Sequence, residues 1–246
     1  MSPIAKPRLL ITRFAVDALR LAKLLDEQGT FALAQPLLAV QKSAEFADAM
    51  HIFAKKYDYI IAVSRNAVDY ADRALAGKSW PIAIYLAVGK RTAEKLCTVT
   101  EQKVIIPHGQ FDSEGLLALP CLALPQGKRV LIVRGVGGRE LLAERLTARG
   151  AIIEYYQPYQ RVVINLSAKL VVEQWQQQRI NGAIVGSLEL LERLTELLPS
   201  EESLWLKKMT IYAPSKRITD HAIRLGWSNV EVLPGMSDKQ IVDYFK

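Results

Sequence analysis

The sequence predicts an α/β chain made of two doubly wound halves, each a parallel sheet with helices on both faces. Three observations predict it. Short, wholly apolar runs such as Tyr59-Ile-Ile-Ala-Val63 and Val130-Leu-Ile-Val133 have the length and continuity of strands buried on both sides. Each run leads, through a few small or polar residues, into a segment with apolar residues at helical spacing. The whole order then occurs twice. Arg13, Ser64, Arg91 and Pro107 return as Arg134, Ser187, Arg217 and Pro234, with an offset that drifts only from 121 to 127 positions. A chain of 246 residues accommodates two such halves of about 120 residues each.

Taken in order, Leu9 to Ile11 is the first strand. It runs into Thr12-Arg13 and a helix carrying Leu19, Ala22, Leu24 and Leu25 as far as Gly29. Phe31 to Val40 reads as extended through Pro36, and Ser43 to Lys56 as a polar-rich helix. The run 59–63 ends in Ser64-Arg65-Asn66 ahead of a helix with Ala67, Val68, Tyr70, Ala71 and Leu75. Ile82 to Val88 is a strand, followed by Gly89-Lys90-Arg91-Thr92 and a helix through Leu96. Val104 to Ile106 is a short strand, and a capped helix starts near Asp112. Val130 to Val133 meets Arg134 and a glycine turn (Gly135, Gly137, Gly138), then a helix with Leu141, Leu142, Leu146 and Ala148. Ala183 to Val185 leads to Gly186-Ser187 and a leucine-rich helix. Thr210 to Tyr212 leads to Ser215-Lys216-Arg217 and a helix to Gly226. Val230 to Leu233 precedes the last helix, which ends near Phe245.

Composition narrows the function. Lys and Arg number 32 against 25 Asp and Glu, a net charge of +7, which suits an anionic partner. The basic residues are dispersed and do not alternate with aromatics, so no nucleic-acid stripe is indicated. Cys97 and Cys121 form no C-x-x-C pair, and His51, His108 and His221 lack ligand spacing. Neither a disulfide framework nor a metal site is expected. The N-terminus lacks an apolar signal core, and no apolar run approaches the ~20 residues of a membrane span. The expectation is a soluble, cytoplasmic protein with no membrane partner.

Ligands of parallel α/β sheets sit beyond the carboxyl ends of the strands. Here those ends carry Thr12, Arg13, Ser64, Asn66, Thr92, Arg134, Gly135, Ser187, Ser215 and Arg217, with Arg139 flanking the glycine turn. These are cations, hydroxyls and small residues, the kinds of group that hold carboxylates. The turn after Val133 presents backbone N–H groups to an anion. It lacks the last glycine of G-x-G-x-x-G, and no G-K-[ST] follows, so a dinucleotide reading fails on spacing and a nucleotide-binding enzyme is the third, weakened alternative. No serine stands in G-x-S-x-G, and strand-end carboxylates are too scarce for an Asp/Glu acid–base pair. Hydroxyls at such positions also serve as N-caps. The cluster Tyr155-Tyr156-Gln157-Pro158-Tyr159-Gln160-Arg161 has two readings: a packed linker strand of period two, or a segment that turns the Tyr159 phenol toward a cleft between the halves.

These residues together resemble the uroporphyrinogen-III synthase family over essentially the whole chain. The carriers are Leu10-Ile-Thr-Arg13 with Gln35-Pro36, Val63-Ser-Arg-Asn-Ala-Val68, Val88-Gly-Lys-Arg-Thr-Ala93, and Pro107 with Ser113-Glu-Gly-Leu-Leu117. Val130-Leu-Ile-Val-Arg-Gly135 with Gly138-Arg139 and Leu146, Tyr159, Ser187, and Ser215-Lys-Arg217 through Gly226 complete the set. The order of these pieces is specific, although each is short. One departure is Gly186-Ser187 in place of the more usual Thr-Ser, which leaves no hydroxyl at 186.

The resemblance implies two flavodoxin-like lobes joined by a two-stranded linker. Lobe 1 would comprise residues 1–35 with 164–246, lobe 2 residues 42–156, and the linker strands 36–41 and 157–163. It implies closure of linear, octa-acidic hydroxymethylbilane to uroporphyrinogen III with inversion of the last ring and loss of water. No metal or cofactor is implied. The substrate, a linear tetrapyrrole polycarboxylate, would be held by the strand-end residues named above, and Tyr159 would assist departure of the hydroxyl. The expected state is a monomer. A two-lobed, non-catalytic binding module for a polyanionic small molecule is the alternative.

Overall fold

A parallel strand with helices on both faces must be apolar on both faces, and the apolar runs divide their residues accordingly. The computed structural model describes residues 6–197 and 204–246. Parts of the expected first lobe, 1–5 and 198–203, lie outside the described residues. The chain forms two compact units, one of Met1–Ala39 with Val162–Lys246 and one of Val40–Arg161.

The first unit contains strands β1 (Leu9–Ile11) and β2 (Ala32–Ala34), with helix α1 (Ala15–Asp26) between them. The second unit begins within β3 (Leu38–Lys42). It continues through α2 (Ala49–Phe53), β4 (Tyr59–Ala62), α3 (Arg65–Leu75), β5 (Ile84–Ala87), α4 (Lys90–Thr100), β6 (Val104–Ile105), α5 (Ser113–Leu117), β7 (Arg129–Gly135) and α6 (Leu141–Ala148). Strand β8 (Ile152–Val163) carries the chain back. The first unit then resumes with α7 (Ala168–Gln177), β9 (Gly182–Ile184), α8 (Leu188–Glu196), β10 (Thr210–Ala213), α9 (Lys216–Arg224), β11 (Asn229–Val232) and α10 (Asp238–Tyr244).

The sheet orders reproduce the internal repeat. The first unit has β11-β10-β9-β1-β2, and the second β3-β8-β7-β4-β5-β6. Read from the other edge, β2-β1-β9-β10-β11 is the 2-1-3-4-5 order of a flavodoxin-like sheet. Setting β3 aside, β8-β7-β4-β5-β6 is the same order once β7 and β8 take the places of β1 and β2. That is the equivalence given by Arg13 with Arg134 and Ser64 with Ser187. All the registers determined within these two series are parallel. β3 lies beside β8 at the edge of the six-stranded sheet.

Alternate residues of each central strand enter opposite cores. In the second unit Ile60, Ala62, Leu131 and Val133 pack into one core, and Tyr59, Ile61, Val130 and Ile132 into the other. In the first, Leu10, Ala183, Val185 and Ile211 face Trp175 and Trp227, while Leu9, Ile11, Ile184 and Tyr212 face Leu21, Leu25 and Phe245. Trp175 donates its indole N–H to Gln35 at 3.3 Å, and Trp227 donates to Thr195 at 3.0 Å, so neither buried ring leaves its donor unanswered.

Several elements are shorter than their sequence signals. Ser43 to Lys56 is a 3-10 turn over Ala44–Asp48 running into the single-turn α2, not one helix. The strand expected over 82–88 is confined to Ile84–Ala87, and Gln35-Pro36-Leu37 separates β2 from β3. The tyrosine segment is a strand, but not of strict period two. Val133 pairs with Tyr156 and Gly135 with Tyr159, so three steps on β8 oppose two on β7. This bulge puts Tyr156 and Tyr159 into the same core, with Pro158 between them where a missing N–H is tolerated.

One ion cluster ties α1 to the start of α10. Asp238 accepts from Arg13 at 2.7 Å and from Arg20 at 2.7 Å, and Arg13 also donates to the Met236 carbonyl. Burial raises the Asp238 pKa, but hydrogen bonds from Arg20 and Arg13 outweigh it and hold the carboxyl below its ordinary value. Its stabilisation is therefore complete above the unfolded pKa, about 4, and is lost as pH falls through the folded value. Asp238→Asn is expected to cost about 1–3 kcal/mol at pH 7, with the difference from wild type closing below about pH 4. Urea unfolding followed by fluorescence checks this, because three of the four tryptophans (Trp175, Trp205, Trp227) belong to this unit.

Candidate functional site

Helices seal the faces of both sheets, so polar side chains collect where the strands stop. At those ends four helices begin from residues with nearly the same extended backbone: Ser64, Gly89, Ser187 and Ser215, with φ between −154° and −169°. Ser64 accepts from the Ala67 N–H at 3.1 Å and Ser187 from the Leu190 N–H at 3.2 Å, capping α3 and α8. Ser215 makes no side-chain cap bond. In α4 the N-cap is Gly89. Thr92, expected at the strand end, is instead the third residue of the helix and is buried. Arg217 is exposed as the second residue of α9, and Asn66 is half-buried as the second of α3.

In the first unit Thr12 is fully buried, and its hydroxyl donates to the Ile184 carbonyl at 2.8 Å, fastening β1 to β9. Arg13 serves the Asp238 cluster.

In the second unit the strand ends of β4, β7 and β8 enclose a recess of about 210 Å³. Ser64, Arg134, Gly135, Arg139 and Tyr159 meet there, five of the expected residues, together with Ser113, Tyr155 and Arg161. Three arginines and four hydroxyls line it, with no Asp or Glu among the lining residues. Such a lining favours an anion and provides no carboxylate pair for acid–base work. Drug-sized ligand pockets run from about 300 to 1,000 Å³, so this recess holds part of a larger ligand. Asn66 and Thr92 do not line it.

Tyr159 is 8% exposed, and its phenol shares a 3.0 Å hydrogen bond with Ser64 Oγ. Its ring lies 5.6 Å from that of Tyr70, and its carbonyl accepts from the Val136 N–H at 2.8 Å. The ring also rests on Gly135, where a Cβ would come within 2.6 Å of Tyr159 Cζ.

Arg134 is 5% exposed and turned into the glycine turn. It donates to the carbonyls of Gly135 and Arg139, each at 3.3 Å, to that of Gly137, and to Glu140 at 3.0 Å. Glu140 also accepts from the Tyr155 phenol at 2.5 Å. Burial, then that bond, pushes the Tyr155 pKa up to about 12, while the same bond holds Glu140 below its ordinary value. At neutral pH the phenol is the donor and the carboxylate the acceptor. Arg139 is exposed and forms a bidentate pair with Glu114, at 2.7 and 3.1 Å. Glu140, Ser113 and Tyr155 were not among the sequence candidates. The glycine turn does direct attention to Glu140, which follows it directly.

The sequence pattern described as "Uroporphyrinogen-III synthase HemD" matches residues 20–242. The uroporphyrinogen-III synthase of Escherichia coli strain K12 is 34% identical over 231 residues, covering 91% of this chain and 94% of that one. The chain belongs to the uroporphyrinogen-III synthase family. Among solved structures, the uroporphyrinogen-III synthetase of Helicobacter pylori aligns with a TM-score of 0.62 at 12% identity, covering 97% of each chain. A mutant uroporphyrinogen III synthase from Thermus thermophilus aligns at 0.59 and 18%, again with 97% of each covered. At such identities the two structures establish the shared α/β fold of the family. Within the described residues of this family member, no helix is long and apolar enough to cross a membrane, and no cluster of His, Cys, Asp and Glu is arranged to hold a metal ion.

The contact between Gly135 and Tyr159 is directly testable. Gly135→Ala is expected to displace the Tyr159 ring, break its bond to Ser64 and cost about 1–3 kcal/mol. In a Tyr159→Leu background, which removes the ring atoms in conflict, the same substitution is expected to cost less than half as much. Equal costs in a double-mutant cycle would show that the two residues do not press on each other.

Proposed function

We propose that this chain closes hydroxymethylbilane to uroporphyrinogen III, acting as a monomer in the cytoplasm. The observation that carries the reading is 34% identity to a uroporphyrinogen-III synthase across 94% of that protein's length. The recess supports it, since an arginine- and hydroxyl-lined space at the strand ends suits a substrate bearing many carboxylates. In the reaction the terminal C–O bond breaks and its oxygen leaves as water. A carbon–carbon bond closes the macrocycle with the last ring inverted, and one pyrrole proton is released. Carbon–carbon bond formation with loss of water is redox-neutral, so the step calls for no electron carrier.

The substrate is reactive enough to cyclise unaided without inversion, so the enzyme's task is geometric: it must bring the inverting carbon nearest to the developing cation. In the second unit Arg139, Arg161 and Ser113 are proposed to take carboxylates, and Arg217, Ser187 and Ser215 do the same at the strand ends of the first. Thr12, Arg13, Arg134 and Gly135 shape these ends through contacts within the protein. Asn66 and Thr92 are assigned to the start of their helices. Tyr159, with Ser64 beside it, is proposed to donate to the departing hydroxyl. The net charge of +7 raises the local concentration of an octa-acid and makes its capture sensitive to salt.

Purified protein supplied with fresh hydroxymethylbilane is expected to give mainly the type III isomer after oxidation, at a rate proportional to protein. Type I alone, at the protein-free rate, would overturn the reading, and tight binding without turnover would indicate a polyanion-binding module instead. Because positioning is shared among many contacts, Tyr159→Phe is expected to retain more than about a hundredth of the wild-type rate, the lower limit of a full general-acid contribution.

A further inference from the structure

The glycine turn after β7 lacks the closure that turns normally supply for themselves. Among the described residues no backbone carbonyl accepts from the N–H of Gly137, Gly138, Arg139 or Glu140. The carbonyls of Gly135, Gly137 and Arg139 are instead all drawn to one buried guanidinium. A trans peptide directs its N–H opposite to its C=O, so the N–H groups of Gly138 and Glu140 point away from Arg134. The approach depends on glycine. Gly138 has φ +100°, and a Cβ there would lie 2.9 Å from Arg134 Nη2. Gly135 to Arg139 form one wall of the recess, and the Tyr155 ring forms another, 5.1 Å from the Arg134 guanidinium carbon.

We propose that Tyr155 and Glu140 are positioning residues for the reaction, holding Arg134 and, through it, the 135–139 turn in the arrangement that lines the recess. The inference rests on the reaction proposed above. A guanidinium that is 5% exposed needs a compensating charge, and Glu140 supplies it. Glu140 is half-exposed and sits on a turn beyond the strand, so it has to be fixed in its turn. The phenol of Tyr155, on neighbouring β8, does this by occupying the second carboxylate oxygen while Arg134 occupies the first. The chain of contacts from Tyr155 through Glu140 to Arg134 to three carbonyls thus decides which way the turn's amides face. None of the three side chains has to touch a reacting atom.

Tyr155→Phe removes only the hydroxyl and keeps the ring beneath Arg134. It is expected to raise KM about tenfold with kcat within about twofold, and to leave the unfolding midpoint nearly unchanged. Glu140→Ala is expected to raise KM at least as far, and Glu140→Gln, which keeps one acceptor oxygen but loses the charge and the second acceptor, to recover only part of the loss. Unchanged KM in both Tyr155→Phe and Glu140→Ala would overturn the proposal. So would a fall in kcat at constant KM, which would place these groups at the reacting atoms. The amide spectrum of the free protein gives a readout that needs no turnover. Resonances of Gly137, Gly138 and Arg139 are expected to move in Tyr155→Phe while those of the β4–β7 core stay in place. If they do not move, positioning is overturned even where the wild type forms type III product. If they move and the wild type forms only type I, the reaction assignment fails and the structural assignment stands.

Discussion

The constraint beneath this structure is that both sheets are covered twice. Leu9, Ile11, Ile60, Ile61, Val130 and Leu131 are wholly inaccessible, and the residues of each strand are divided between two cores. A sheet sealed on both faces leaves only the ends of its strands for polar chemistry. The helix that must start after each strand then decides what stands there: a small or hydroxyl-bearing cap, then the first residues of a helix with their unpaired N–H groups. The cationic, hydroxyl-rich recess of the second unit is thus a product of architecture as much as of function.

The repeated arginine shows how the two purposes separate. Arg13 and Arg134 are equivalent in the duplication: Arg13 stands just past the end of β1, and Arg134 is the last residue but one of β7. Each spends its guanidinium on a backbone carbonyl and a carboxylate: Met236 and Asp238 in one unit, the glycine turn and Glu140 in the other. The exposed cations stand one step further out. Arg139 lies on the turn that Arg134 holds and pairs with Glu114, and Arg217 is exposed in the first turn of α9. A buried cation fixes backbone, while an exposed one keeps much of its guanidinium at the surface.

Most of the fold was legible because two-sided burial writes itself as uninterrupted apolar runs, and because the repeat supplies an independent check on each strand. The matched landmarks also equate the strands of the two halves, with β7 and β8 answering to β1 and β2, while the sheet order itself comes from the pairings in the structure. What was not legible depends on neighbours far away in sequence. The bulge on β8 arises from its register with β7, so a period-two reading of Tyr155 to Arg161 misplaces Tyr156 relative to Tyr159. Thr92 lost its place at the strand end to Gly89, since glycine is also an acceptable N-cap. The sequence brought Arg134 to notice as a cation beside a glycine turn, but nothing local says that the turn folds back over it. The pairing of Glu140 with Tyr155 becomes visible only when the turn closes and β8 is laid alongside.

The exchange of the first βα unit also sets a timetable. The second unit is one continuous stretch, complete once Arg161 has been made, whereas β1 needs β9 beside it and β9 is 171 residues further along. At ribosomal rates of about 5–20 residues per second, the nascent amino-terminal segment waits on the order of ten seconds or more for that neighbour. During this interval Leu9 to Ile11 and the apolar side of α1 have no core to enter. Residues 9–26 are thus made before the second unit yet settle only after it, and for that interval they are exposed to chaperones, proteases and other nascent chains.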